Sequence, residues 1–252
     1  MPAAVTFDLY PLRFRFSTCK LRDFSANTLR GAFGSALKRI DADGYQRYFA
    51  PQAAAGSGPS GLADPPRPFV FRIRGPLEAG LNLFLTREPD SVDVFTQVMA
   101  ELGTLSSVSG TEPLRISLGA GEGRFRRIRV HFLTPTELKG AEQPEFGILL
   151  ARIRDRAGTL RELYGDGPLK IDFKAFGERA SRVAMTRCEL MHVSAERTSR
   201  HTGQRHSLGG FTGVAEYEGD LAEFIPYLEV ARWTGVGRQT VWGKGEIAYE
   251  TL

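Results

Sequence analysis

The apolar residues of this chain change period in the same order twice, and that repetition leaves few folds open. Residues 5–18 alternate apolar and polar in the manner of a strand. Residues 25–40 follow with Leu29, Phe33, Ala36, Leu37 and Ile40 at helical spacing. Ser25 or Asn27 can cap that helix. After a stretch rich in Ala, Gly, Pro and Ser at 41–68, read as a flexible insertion, come two strand-like runs, PFVFRIRG and LNLFLTR. A helix is expected over about residues 90–105, and EPLRISLG reads as the strand that closes the unit. A glycine-rich break at 119–123 precedes a second round. This begins with the strand RFRRIRVHFLT, a helix over 145–164 and long strands over 181–199 and 207–218. A helix over 220–231 and the final strand GEIAYET complete it.

Strand, helix, strand, strand, helix, strand is the split βαβ order. The expectation is therefore an α+β chain of two tandem ferredoxin-like (βαββαβ) domains, residues 1–121 and 122–252, with a glycine-rich loop near the C-terminus. A chain of 252 residues is long enough for each half to bury a core. The N-terminus alternates like a strand and lacks a basic stretch followed by an apolar one, so no export signal is read there. No apolar run approaches the roughly 18 residues a membrane span needs. Cys19 and Cys188 lie far apart and outside any CxxC motif, which supports neither a disulfide framework nor a cysteine zinc site and suits a reducing cytoplasm.

Three segments carry candidate chemistry. Segment 235–245, GVGRQTVWGKG, sets Gly235, Gly237, Gly243 and Gly245 beside Arg238 and Lys244, between the last helix and the last strand. Such a loop can bring bare backbone N–H groups close to phosphates. It is not a dinucleotide fingerprint, because it follows a helix and lacks the third glycine. Nor is it a P-loop, because five residues rather than four separate Gly237 from Gly243 and Lys244 precedes a glycine.

Between Lys174 and His206 seven basic residues stand against three acidic ones, which concentrates the chain's net charge of +4 there. The second half of that stretch reads as a hairpin presenting Arg200, His201, Arg205 and His206, a suitable face for an RNA backbone. A hairpin closing over 202–205 would put His201 and His206 within cross-strand reach of each other, as a pair for acid and base work. Arg124, Arg126, Arg127 and Arg129 form a second, weaker cluster. His131, in the apolar run VHFLT, is expected to be a satisfied core or interface histidine. No carboxylate cluster has metal-binding spacing, so neither metal nor cofactor is implied.

The run GGFTGVAEYEGDLAEFIPYLEVARWTGVGRQTVWGKGEI resembles the end of the CRISPR-associated repeat-cleaving endoribonucleases of the RAMP superfamily. VHFLTPTELKG, FGILLARIRDRAGTLRELYGDG and RTSRHTGQRHSLGGFTG extend the likeness over most of residues 124–252. LRGAFGSALKR carries it loosely into the first half. The resemblance implies tandem ferredoxin-like domains, CRISPR repeat RNA as partner, and metal-free cleavage to a 5′-hydroxyl and a cyclic or open 3′ phosphate. Many members place a catalytic histidine in or just after the first helix, yet residues 25–60 contain none. The catalytic role is therefore expected at His201 and His206, with Arg30, Lys38, Tyr45 and Tyr48 as other candidates. The alternative is a non-catalytic subunit of the same superfamily that holds the guide RNA among other effector subunits.

Overall fold

The computed structural model describes residues 5–51, 65–119, 123–194, 196–198, 205–207 and 209–252. Strand β1 (Thr6–Cys19) leads into helix α1 (Ala26–Ile40), whose N-cap Ser25 accepts a hydrogen bond from the Thr28 amide at 3.3 Å. A helical turn α2 (Ala42–Gly44) runs into a π-helical turn (Tyr45–Phe49). Strands β2 (Phe69–Gly75) and β3 (Glu78–Leu83), helix α3 (Ser91–Ala100) and strand β4 (Gly103–Ser109) follow. The sheet order β2-β3-β1-β4, with neighbouring strands antiparallel, is that of the split βαβ fold.

The second unit repeats it. Strand β6 (Arg127–Thr136), helices α4 (Phe146–Tyr164) and α5 (Phe173–Ala180), strands β7 (Ala184–Val193) and β10 (Gly210–Glu218), helix α6 (Ile225–Thr234) and strand β11 (Ile247–Thr251) build a sheet of order β11-β6-β10-β7. Between β7 and β10 lie the short paired strands β8 (Glu196–Thr198) and β9 (Arg205–Ser207).

Several expectations are corrected. The helix of the first unit stops at Ala100, and its continuation is β4, an edge strand with mostly exposed residues whose polar sequence hides the alternation. EPLRISLG is not the closing strand of the unit. It contains β5 (Leu114–Ser117), which pairs with Thr6–Leu9 at the start of β1. Within the supposed flexible insertion, Tyr48 and Phe49 are buried in the first core. Gly34 of α1 allows this packing, because a Cβ there would lie 2.3 Å from Phe49 Cζ. The remainder of that insertion, 52–64, lies outside the described residues. Helix α5 was not anticipated.

Strand β1 serves two cores. Phe7 and Leu9 point one way, whereas Tyr10, Leu12, Phe14 and Phe16 are buried on the other, so the alternation breaks phase at the Leu9–Tyr10 step. The later residues join Phe33, Phe69, Phe71 and Phe95, whose rings meet Phe33 at 5.1–5.8 Å. Phe7 and Leu9 instead enter the second unit's core, together with Val70, Phe84, Ile116 and Leu118. Asn82 Nδ2 donates to the Trp233 carbonyl at 2.8 Å, and Arg161 Nε donates to the Thr6 carbonyl at 2.7 Å.

Candidate nucleic-acid interface

Helix α6 ends at Gly235, whose φ of 71° turns the chain into the glycine-rich loop. Gly237, Gly243 and Gly245 also have positive φ (80°, 82° and 67°), as does Gln239 (60°). At Gly237 the requirement is doubled: a Cβ would stand 2.3 Å from the Glu137 carbonyl oxygen. The loop is thus pressed against the end of β6. Its amides are largely engaged there, Val236 N–H on the Gly245 carbonyl (2.8 Å), Arg238 on Glu137 (3.1 Å) and Gly245 on Pro135 (3.1 Å). The sequence suggested amides bared for phosphate; these three are used to fix the loop's shape.

The two loop cations differ. Arg238 is exposed and pairs through Nη1 with Glu137 Oε1 at 2.8 Å. Lys244 is buried, and its ammonium donates to the Gly209 carbonyl (2.6 Å) and to Gln239 Oε1 (3.0 Å). Burial pushes its pKa down. Gly209 is the last residue before β10, so Lys244 ties the base of the β8–β9 hairpin to the loop.

The hairpin itself is present. Its register sets Glu196 opposite Ser207, Arg197 opposite His206 and Thr198 opposite Arg205. The partner of His206 is therefore Arg197 and not His201. His201 and Arg200 lie outside the described residues.

On the far side of the loop a cavity of about 240 Å³ opens between the two units. Arg30 of α1, Arg67 before β2, Arg156 of α4 and Trp242 of the loop line it, together with Gly237 and Gln239, and no acidic residue is among the described residues of the lining. The Arg30 guanidinium lies 4.6 Å from the Phe49 ring and 5.5 Å from the Trp242 ring. Arg67 Nε donates to the Phe49 carbonyl (3.1 Å) and Arg156 Nε to the Thr234 carbonyl (3.0 Å). Arg156 Nη2 is buried without a hydrogen-bond partner. Burial first, and then the charge of Arg72, lower the Arg156 pKa to about 9.

Arg72 itself is fully buried, with Nε 3.6 Å from Glu246 Oε2, and Arg74 takes the other oxygen of that carboxylate at 2.5 Å. Positive charge thus outweighs negative along the seam. The sequence did carry one signal for Arg156: it continues the apolar stripe Leu149, Ile153, Leu160 of α4 at spacings of four, three and four.

Other candidates fall elsewhere. Arg127, Arg129 and Arg187 converge on Glu216 across the open face of the second sheet, at 3.4, 2.8 and 3.3 Å. His131 lies on that same face, 3.3 Å from Glu250, rather than in a core. Tyr48 is buried against Phe95 and donates to Glu88; burial and that bond raise its pKa. Lys38 stands over the Tyr45 ring. Among the described residues no three His, Cys, Asp or Glu side chains gather to hold a metal ion, and no helix is long and apolar enough to cross a membrane.

Residues 130–247 match the family model of the CRISPR-associated endoribonuclease Cas6. No curated protein sequence matches the chain. Among solved structures, Cas6 of Thermus thermophilus is similar over 99% of this chain and 100% of its own, at 16% identity and a TM-score of 0.60. Another Cas6, solved as a product complex, is similar over 97% and 100%, at 18% identity and a TM-score of 0.61. A Cas6-RT-Cas1–Cas2 complex matches 97% of this chain but 29% of that one, at 11% identity and a TM-score of 0.57. Residues 130–247, which span the hairpin and the glycine-rich loop, are therefore a CRISPR-associated endoribonuclease Cas6 domain, set on a two-unit fold that solved Cas6 proteins share along this whole chain.

Proposed function

We propose that this protein binds CRISPR repeat RNA and cuts the precursor transcript into guide RNAs, by a metal-independent reaction in the cytoplasm. The observation that carries the reading is the Cas6 match over 130–247, which takes in both the basic hairpin and the glycine-rich loop. The chemistry is internal transesterification. A base takes the proton of the ribose 2′-hydroxyl, the 2′-oxygen attacks the adjacent phosphorus, and the P–O5′ bond breaks as an acid protonates the leaving oxygen. The products are a 2′,3′-cyclic phosphate and a 5′-hydroxyl.

We assign the acid and base roles to His201 and His206. Arg200, Arg205 and the loop residues Gly235, Gly237, Arg238, Gly243, Lys244 and Gly245 form the RNA-binding surface, Lys244 by holding hairpin and loop together. Cations near the pentavalent phosphate stabilise its developing charge. We place the division of the chain at residues 1–121 and 122–252. The free thiols of Cys19 and Cys188 are in keeping with a reducing compartment. Other CRISPR effector subunits are proposed as further partners.

The test is a gel assay of the purified protein with labelled repeat RNA in EDTA, beside an RNA whose scissile 2′-hydroxyl is replaced by hydrogen. Cleavage of the unmodified RNA alone is expected, and loss of cleavage in His201→Ala. Tight binding without cleavage would overturn the nuclease reading in favour of a subunit that holds the guide RNA.

A further inference from the structure

We propose that the groove between α4 and α5 docks an acidic segment of a partner protein, one that carries an apolar anchor side chain. The groove encloses about 520 Å³ and shares no described lining residue with the cavity between the units. Helix α5, which forms one wall, is an addition to the split βαβ order. It buries only Phe176 and Ala180, and it leaves Phe173 of the lining 45% exposed. Arg154 holds that ring in place. Its guanidinium lies 4.8 Å from the Phe173 ring and 5.8 Å from the Phe176 ring, and its Nη1 donates to the Phe173 carbonyl at 3.0 Å. An aromatic side chain that is exposed yet already fixed loses little freedom when a partner covers it.

The lining sets the chemistry of that partner. Ile148, Ala151 and Phe173 give it apolar surface, and Gly177 leaves room beside them: a Cβ there would meet nothing closer than Arg154 Nη1 at 4.0 Å. Glycine is disfavoured inside a helix and packing does not demand it at this position, so its effect is to keep the groove open. Arg152, Arg154 and Lys174 stand in the lining against Glu145 among the described residues. Arg154 is taken by Asp155, Nη2 to Oδ1 at 2.7 Å. Arg152 is not: its Nη2 donates to the Lys139 carbonyl at 3.0 Å, its Nε is buried without a hydrogen-bond partner, and among the described residues it forms no ion pair. Lys174 reaches Glu178 only at 4.0 Å with its side chain 88% exposed, a pair that contributes little. Two cations thus face outward for carboxylates beside apolar surface. A nucleic-acid strand would use the cations and leave Ile148 and Ala151 uncovered, whereas an acidic peptide with a leucine or phenylalanine uses both.

The test is fluorescence anisotropy of the full chain with a fluorescein-labelled peptide in which a leucine and a phenylalanine are flanked by glutamates. Saturable binding is expected. The same peptide with lysine at every glutamate should not bind, and one with serine in place of the leucine and phenylalanine should bind at least about tenfold more weakly. Gly177→Leu, which fills the groove, and Arg152→Gln should each weaken the acidic peptide by a similar factor. Lys174→Glu carries the same expectation at a side chain too exposed to disturb the fold. Repeat-RNA binding should be equal in all three variants, because none of these residues lines the cavity between the units. No saturable binding of the acidic peptide, or binding that survives both Gly177→Leu and Lys174→Glu, would overturn the docking site. Displacement of the peptide by repeat RNA would overturn it too, and would give the groove to nucleic acid.

Discussion

Glu216 is one nearly buried carboxylate among three guanidiniums, so two of the arginines that crowd β6 are tied to a carboxylate across the sheet. Arg127 and Arg129 are held by Glu216, and by Glu218 and Glu250 as well. None of this was readable from β6 alone, because the carboxylates arrive from β10 and β11. The bond from Arg129 holds the Glu216 pKa below its ordinary 4.5. A carboxylate with a depressed folded pKa contributes stability that is fully present above its unfolded value and is lost as pH falls through the folded one. Glu216→Gln should therefore be less stable than the parent at neutral pH, with the gap closing as pH drops below 4.5. Urea denaturation of both proteins across that range checks it; a gap independent of pH would mean the carboxylate charge is not what matters. Gly237 was legible as a loop glycine, but its partner was not. Gly237→Ala forces a left-handed alanine and a Cβ against the Glu137 carbonyl. It should cost about 1–3 kcal/mol of stability, measured by the same denaturation.

At the scale of elements, strong periodicity was readable and weak periodicity was not. Helices α1 and α4 declare themselves through full apolar stripes, and α1 through its Ser25 cap. Helix α5 buries only Phe176 and Ala180, too little to form a pattern, and β4 is an exposed edge strand that its sequence disguises as the end of α3. The hairpin was legible as a basic protrusion, while its register, which pairs His206 with Arg197, depends on where the turn falls. Because Lys244 holds Gly209 and Gln239 together, Lys244→Met should leave secondary structure intact by circular dichroism yet reduce repeat-RNA affinity. A variant with unchanged affinity would show that hairpin and loop act independently. Neutralising Arg200 and Arg205 together should weaken RNA binding and flatten its salt dependence by about one unit of slope per lost phosphate contact. An unchanged slope places the phosphate contacts elsewhere.

On the scale of the whole molecule, the two units are a repeat in topology but not in independence. The sequence pattern showed the repeat; it did not show that β1 changes phase at Leu9–Tyr10 and so feeds both cores. Phe7, Leu9, Val70, Phe84, Ile116 and Leu118 come from the first unit and pack in the second unit's core. Arg161 and Tyr164 of α4 reach back to the carbonyls of Thr6 and Pro66. Removing residues 1–121 would strip six apolar side chains from that core, each contributing roughly 1.5–3 kcal/mol by burial, a total comparable to the 5–15 kcal/mol that holds an average domain folded. The fragment 122–252 made alone should therefore expose apolar surface, bind a hydrophobic dye and melt without a cooperative transition, whereas the full chain should unfold in one calorimetric step. Two separated transitions in the full chain, or a sharp transition in the fragment, would show that the second unit closes its core without the first. The cavity lined by Arg30, Arg67 and Arg156 lies where the units meet, so a single unfolding step would also mean that this cavity and the fold are lost together.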